Sequence, residues 1–201
     1  MLVRVGYNAT NKMNAQLEED AMAREQIKVP FGYEPQEEST KGTVIVCETF
    51  EDWTELEVKA LIAWAEERKF VRVILYPQHE ETLRRMDIRA AQPYYARVKH
   101  ITALVDEMDT PLQVDVDTWE GKRKKYTPLD TSFSFLTEKS PSPHFICMSD
   151  RYANLFVTYP SFKEWIKKAR LVIFTEFHVP LHGKLKDYEG RWETVDFGHG
   201  S

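Results

Sequence analysis

The chain has 201 residues, of which 42% are hydrophobic and 12% aromatic, enough apolar material for one packed domain. Its formal net charge of -5 argues against a protein that binds duplex nucleic acid, because neutralising phosphates requires a basic surface. No apolar stretch approaches the roughly 20 residues that span a bilayer, so the sequence predicts a soluble, cytoplasmic protein without a membrane partner.

The N-terminal region is predicted to hold an outer strand, a helix and a surface loop. Residues 2–7 alternate apolar and polar side chains, as a strand with one wetter face does. Thr10 or Asn11 then caps an amphipathic helix. Residues 29–42 are polar and interrupted by proline and glycine, which indicates a surface loop.

A strand, a helix and a second strand over residues 43–79 form the clearest unit of the sequence. Residues 44–47 form a continuous apolar run, and residues 71–76 form a second one that is apolar except for Arg72, a pattern typical of parallel strands covered on both faces. Thr54 stands three residues before Glu57, the spacing of a capping box at a helix start. The unit predicts a three-layer α/β domain whose central sheet is mostly parallel or mixed, with an antiparallel edge strand left open.

Two helices and a strand are predicted after this unit. One helix begins near His79, with an acidic first turn that complements the helix dipole. The next begins at Pro93 and carries a clear helical period of apolar residues. Residues 112–116 alternate as a strand with one polar face. Residues 118–131 are basic and turn-like and are predicted as a loop, so 43–117 is the most regular part of the chain.

The C-terminal third begins with short apolar runs. Phe133 and Phe135 alternate with serines, which is the period of a strand. Residues 144–148 follow as a buried run. The tail, residues 183–201, is predicted to be irregular apart from a short edge strand at 192–197.

A second strand, helix and strand unit is predicted within this third. The strands are residues 155–159 and 171–177, and Ser161 with Glu164 repeats the capping-box spacing. The helix between them has about ten residues, near the lower limit for a parallel crossover, so an antiparallel arrangement stays open. The whole chain, residues 1–201, is interpreted as a single α/β domain.

Candidate functional residues are expected just beyond the strand ends, where ligands of open α/β sheets bind. Glu48 follows the first strand of the clear unit and His79 follows the second. If the two strands are neighbours, both side chains converge on one rim, where they could act as general acid and base or hold a metal. The alternative is that the acidic residues Asp52, Glu80 and Glu81 only stabilise helix starts.

A second candidate pair is Glu176 and His178. The two are placed two residues apart on a predicted strand, and therefore on one face. A carboxylate that orients an imidazole is the arrangement of a general base or a metal ligand. A surface pair at a strand end, without function, is the alternative.

Asp115 and Asp117 form a third candidate site. Two aspartates on one strand face can bind a divalent metal ion, and the basic run 122–125 can contact phosphate oxygens. A half-exposed strand followed by a solvated loop is the alternative. Because no glycine-rich phosphate loop follows any strand, a standard dinucleotide-binding or P-loop protein is not expected.

Two classes of function follow from these residues. The first is an enzyme or binding protein for a small phosphorylated or nucleotide-like ligand at the strand ends, with a divalent metal ion as candidate cofactor. The second is a noncatalytic protein that docks to another protein or to its own copy. The aromatic and basic segment 159–170 would supply that surface.

Overall fold

A computed structural model describes residues 41–123 and 125–198. The elements expected over the first 40 residues therefore lie outside the described residues. The strands are β1 (Lys41–Glu48), β2 (Phe70–Pro77), β3 (Gln113–Val116), β4 (His144–Ser149), β5 (Arg170–Phe174) and β6 (Trp192–Val195). The helices are α1 (Glu55–Glu67), α2 (Glu80–Arg85), α3 (Tyr94–Asp106), α4 (Trp119–Arg123), α5 (Leu129–Glu138), α6 (Asp150–Phe156) and α7 (Phe162–Lys168). A short 3₁₀ helix, Gly183–Tyr188, precedes β6.

The strands form one six-stranded sheet in the order β3-β2-β1-β4-β5-β6. Every pairing between the described strands is parallel. The predicted α/β class is confirmed. The described sheet is parallel at both of its edges, including the C-terminal strands β5 and β6.

Helices cover both faces of this sheet because alternate strand residues point to opposite sides. Ile45 and Ile74 lie in one buried cluster, together with apolar residues of α2, α5, α6 and α7. Val44 and Val73 lie in a second cluster, with residues of α1 and α3. The continuous apolar runs of the strands are therefore explained by burial on both faces, as expected for parallel strands in a three-layer fold.

The start of α1 has the predicted capping chemistry. The amide of Thr54 donates to the carboxylate of Glu57 at 2.5 Å, and the amide of Glu57 donates to the hydroxyl of Thr54 at 3.4 Å. These reciprocal contacts satisfy two backbone donors at the helix start. The capping box is confirmed.

Two predictions for residues 118–136 were wrong. The basic stretch is not all loop, because it contains α4 and the beginning of α5. Phe133 and Phe135 lie in α5 rather than in a strand. Leu129, Phe133 and Leu136 are all buried, at the spacing of one helix face. An alternation only four residues long could not reveal this longer period.

The C-terminal unit also differs from its prediction. Most of the expected strand at 155–159 is the end of α6 and the turn after it, and the strand that precedes the helices is β4. Ser161 has helical dihedral angles, and its side chain caps no amide in the described chain, so the second capping box does not form. The edge strand expected at 192–197 is confirmed as β6, over a shorter range.

None of the helices in the described part of the chain combines the length and the apolar character that crossing a bilayer requires.

Candidate functional site

The strand order reverses between β1 and β4, with β2 and β3 on one side and β5 and β6 on the other. In open parallel sheets, ligands bind in the crevice beyond the carboxyl ends of the two strands at this switch point. Val46 pairs with Cys147, so Glu48 and Ser149 stand two residues further along these adjacent strands. The fold therefore places these two side chains where a ligand is expected.

Buried oxygen atoms without partners collect at this position. Glu48 is 2% exposed; its Oε1 atom accepts from the amide of Thr49 at 2.8 Å, but Oε2 has no hydrogen-bond partner in the described chain. The hydroxyl groups of Ser149 and Tyr152 are also buried and unpartnered there, as is Oε2 of Glu176. We call Glu48, Ser149, Tyr152 and Glu176 the switch-point site. Unpaired buried polar atoms are costly, so a cluster of them points to a further binding partner.

The two carboxyl groups of the switch-point site share one electrostatic environment. Burial raises the pKa of Glu48, and the amide of Thr49 and the nearby hydroxyl of Ser149 oppose this effect. Burial also raises the pKa of Glu176, and the negative charges of Glu48 and Asp150 raise it further. Carboxyl groups that keep their protons to higher pH can donate as well as accept hydrogen bonds, and they suit acid–base chemistry.

A loop held by Asp150 follows β5 and borders the site. The carboxylate of Asp150 accepts from the amide of Phe177 at 3.3 Å and from the amide of Val179 at 3.1 Å. Because β5 ends at Phe174, Glu176 and His178 do not share a strand face, and that part of the prediction was wrong. His178 has a φ of 51° and is exposed, whereas Glu176 is half-buried.

His79 stands on the same rim as Glu48, since β1 and β2 are neighbours as expected and Glu48 pairs with Pro77. Its ring serves the start of α2. Nδ1 accepts from the amide of Glu81 at 3.3 Å, and Nε2 lies 3.2 Å from a carboxylate oxygen of Glu80. These contacts give His79 a capping role, and none of its contacts in the described chain joins it to His178.

Asp115 and Asp117 are engaged at the β3 edge of the sheet. Asp115 accepts from Nε of Arg72 at 2.7 Å, and Asp117 accepts from the amide of Trp119 at 2.8 Å and pairs with Lys139. Among the residues that the structure describes, no group of three or more His, Cys, Asp or Glu side chains could hold a metal ion. The divalent-metal hypothesis for the two aspartates stays a prediction.

Arg97 is a buried residue of this rim that the sequence interpretation missed. It is 1% exposed, and its guanidinium donates to the carbonyl oxygens of Gln92, Thr49 and Gln78 at 3.1, 2.7 and 2.8 Å. These bonds join α3 to the loops after β1 and β2. The sequence could have indicated its burial, because Arg97 lies four residues before Ile101 and so shares the buried face of the helix.

A groove lies beside these loops. The carboxylate of Glu51 accepts from the amide of Ala91 at 3.0 Å, and Arg151 donates to the carbonyl of Asp87 at 3.2 Å. The segment between α2 and α3 is thus tied to residues that follow β1 and β4. The adjoining groove has a volume of about 540 Å³, within the usual range for small-molecule sites. It is lined by Glu80, Glu81, Leu83, Arg84, Asp87, Ile88, Arg89 and Ala90.

Glu120 forms a second buried acidic position near the groove. It is fully buried, and it accepts a hydrogen bond from the hydroxyl of Thr82. Burial raises its pKa to about 7, against the hydrogen bonds from Thr82 and Tyr76. Sequence reasoning missed Glu120 because it lies within the basic stretch that was interpreted as a loop.

The aromatic residues of segment 159–170 mostly face the core. Phe162 and Trp165 are buried, and the indole nitrogen of Trp165 donates to Asp130 at 2.7 Å. Lys163, Lys167 and Lys168 remain on the surface. The segment therefore offers exposed cations, while its two largest apolar side chains pack within the fold.

Comparison with known proteins shows a similarity of fold. No protein-family model and no curated protein sequence matches the chain. Among solved structures, it is similar to Plasmodium falciparum nicotinic acid mononucleotide adenylyltransferase complexed with NaAD, with a TM-score of 0.58 and 8% sequence identity. The similarity covers 80% of this chain and 77% of that chain. It places this protein among Rossmann-like α/β folds, which host many functions.

Proposed function

We propose that this protein binds a small nucleotide-like ligand at the switch-point site. The proposal is carried by the buried oxygens without partners at the ends of β1 and β4, where the strand order reverses. It is supported by the structurally similar protein, an adenylyltransferase complexed with NaAD.

The chemistry of the site suits the sugar and base of such a ligand. Sugar hydroxyls and base amino groups donate hydrogen bonds, which the carboxylate of Glu48 can accept. The hydroxyls of Ser149 and Tyr152 can donate or accept. The groove beside α2, which Arg151 of α6 contacts through the carbonyl of Asp87, has the volume of a small-molecule site.

We also propose Glu48 and Glu176 as the acid–base pair for a reaction at this site. Burial raises the pKa of both carboxyl groups, and the charge of Glu48 raises that of Glu176 further. Two such groups in one site can divide the roles of proton donor and acceptor. His79 and His178 remain the histidine candidates of the same rim.

Calorimetric titration of the full chain tests the binding proposal. The ligands are adenosine, guanosine, cytidine and uridine with their 5′-monophosphates and 5′-triphosphates. At least one compound is expected to bind, and Tyr152→Phe is expected to weaken that binding about tenfold, which corresponds to one lost hydrogen bond. Tyr95→Phe is the matched control, because Tyr95 is 74% exposed. Failure of all the compounds to bind at millimolar concentration would reject the proposal, as would binding that is indifferent to Tyr152→Phe.

A further inference from the structure

We propose that the switch-point site recognises the uncharged nucleoside part of its ligand and that the N-terminus of α1 excludes phosphate. This inference rests on the proposed function, and it names the class of ligand: a nucleoside rather than a nucleoside phosphate.

The N-terminus of α1 already holds an anion from its own chain. In dinucleotide-binding α/β folds, phosphate binds at the start of the helix after the first strand, on free backbone amides. Here the amide of Thr54 donates to the carboxylate of Glu57 at 2.5 Å, and the Thr54 hydroxyl donates to it at 2.9 Å. The Glu57 amide is taken by Thr54. The Glu57 carboxylate therefore occupies the position at which a phosphate would bind.

The charges around this helix start repel phosphate as well. The link and first turn carry Glu51, Asp52, Glu55 and Glu57, and residues 48–58 contain no lysine, arginine or glycine. Like charges at short range oppose binding. A phosphate here would meet several carboxylates and no cation from this segment.

The nearest buried cation does not compensate for these acids. Arg97 directs its guanidinium at three backbone carbonyl oxygens, those of Gln92, Thr49 and Gln78. The guanidinium would have to break its hydrogen bonds to these carbonyls before it could bind a phosphate. Because breaking buried hydrogen bonds is costly, Arg97 is suited to hold the rim and not to bind an anion.

The segment between β1 and α1 also lacks the glycine that would let its backbone come close to a phosphate, as the backbone of a phosphate-binding loop does. Glycine at this turn allows the main chain to reach the phosphate. Here the left-handed conformation falls on Phe50, with a φ of 56°, and its side chain is fully buried. The ring packs against Trp53, with 5.1 Å between ring centroids. The turn thus uses its unusual conformation to bury an aromatic ring.

The unpartnered groups of the switch-point site favour a ligand that donates hydrogen bonds. Glu48, Ser149 and Tyr152 are each at most 2% exposed, and each has a polar atom without a partner in the described chain. The two hydroxyls lie against the Glu48 carboxyl. A nucleoside supplies neutral donors, from its sugar hydroxyls and base amino groups, without adding negative charge.

The test compares nucleosides with their 5′-monophosphates in calorimetric titrations of the full chain at low ionic strength. The best-binding nucleoside is expected to bind at least tenfold more tightly than its own monophosphate, and the triphosphate more weakly still, because each phosphate adds repulsion from the rim. Ser149→Ala and Glu48→Gln are each expected to weaken nucleoside binding about tenfold. Glu67→Gln, an exposed acid at the far end of α1, is the control and should leave the affinity unchanged.

A second variant tests the repulsion directly. Asp52→Asn combined with Glu55→Gln removes two negative charges at the start of α1 and leaves the capping box intact. Monophosphate affinity is expected to rise at least threefold, while nucleoside affinity stays the same.

The outcomes separate this inference from the proposed function. A monophosphate that binds as tightly as its nucleoside, or more tightly, overturns the inference and leaves the proposed function standing. Nucleoside binding that is unaffected by both Ser149→Ala and Glu48→Gln overturns the assignment of the nucleoside to these residues. Absence of binding by every compound overturns both proposals together.

Discussion

At the scale of single residues, Arg97 shows how one buried charge can organise the rim. Its three hydrogen bonds reach backbone carbonyls after β1, after β2 and before α3, and burial lowers the pKa of its guanidinium against the opposing effect of Glu80. Backbone carbonyls that lose a buried donor are left unsatisfied. Arg97 is therefore a structural support for the candidate site.

Replacing Arg97 with methionine is expected to destabilise the fold by about 3 kcal/mol, because the change leaves buried carbonyls unpaired. Urea unfolding gives the free energy of unfolding. Arg89→Met is the control, since Arg89 is exposed, and its effect should stay within about 0.5 kcal/mol. Equal stability of the Arg97 variant and the wild type would show that the three bonds contribute nothing net.

The raised pKa of Glu120 makes the folded protein less stable as the pH rises. The pKa is about 7 in the folded chain against an ordinary value of 4.5, so the unfolded chain loses this proton first as the pH rises. The contribution of Glu120 to stability is therefore complete below pH 4.5 and is lost as the pH rises through about 7.

Glu120→Gln is expected to flatten this dependence. Between pH 5 and pH 7 the wild type should lose up to about 1.4 kcal/mol per pH unit more than the variant, since one proton is involved. Free energies of unfolding at several pH values provide the measurement. The other buried acids remain in both proteins, so the difference isolates Glu120. Identical slopes would contradict the assignment.

The sequence indicated some residues of the site and could not indicate others. Glu48 was found because it follows an apolar run. Ser149 and Tyr152 were missed because their importance depends on β1 lying beside β4, a pairing of residues about 100 positions apart. Local patterns carry no information about that pairing. Glu176 was also identified, but on the incorrect assumption that it lies on a strand with His178.

At the scale of elements, the beginning of β1 requires a glycine. A Cβ atom at Gly42 would lie 2.2 Å from the carbonyl oxygen of Pro143 and 2.4 Å from the carbonyl carbon of Ser142. These are backbone atoms, so they cannot move aside as the end of a side chain could. The close approach lets β1 pass directly beside the turn that leads into β4.

Gly42→Ala is expected to destabilise the protein by about 1–3 kcal/mol, the range for overpacking. Gly183→Ala is the matched control, because a Cβ atom at Gly183 would meet nothing within 4 Å. Thermal unfolding of the two variants is the measurement. An equal melting temperature for Gly42→Ala and the wild type would contradict the role given to this contact.

The elements that the sequence predicted well are those with explicit end signals. α1 has its capping box, and α3 begins directly after Pro93. α5 was missed because its serines and phenylalanines alternate over a short stretch, where burial against the sheet decides the conformation. The Ser161 box failed because tertiary packing gave Ser161 helical dihedral angles.

At the scale of the whole molecule, the parallel sheet determines where function is expected. The α/β class could be predicted from continuous apolar strands, since two-sided burial leaves that pattern. The strand order could not be predicted, because it depends on which strands meet across long loops. That order creates the switch point between β1 and β4, and with it the candidate site.

The most direct test of the central claim is NMR chemical-shift mapping of the full chain during titration with the tightest-binding nucleoside. The expected result is a set of perturbed backbone amides confined to residues 48–52, 149–152 and 175–179. Perturbations confined to the surface of segment 159–170, with the switch-point residues unchanged, would contradict the claim that this protein binds its ligand at the switch point.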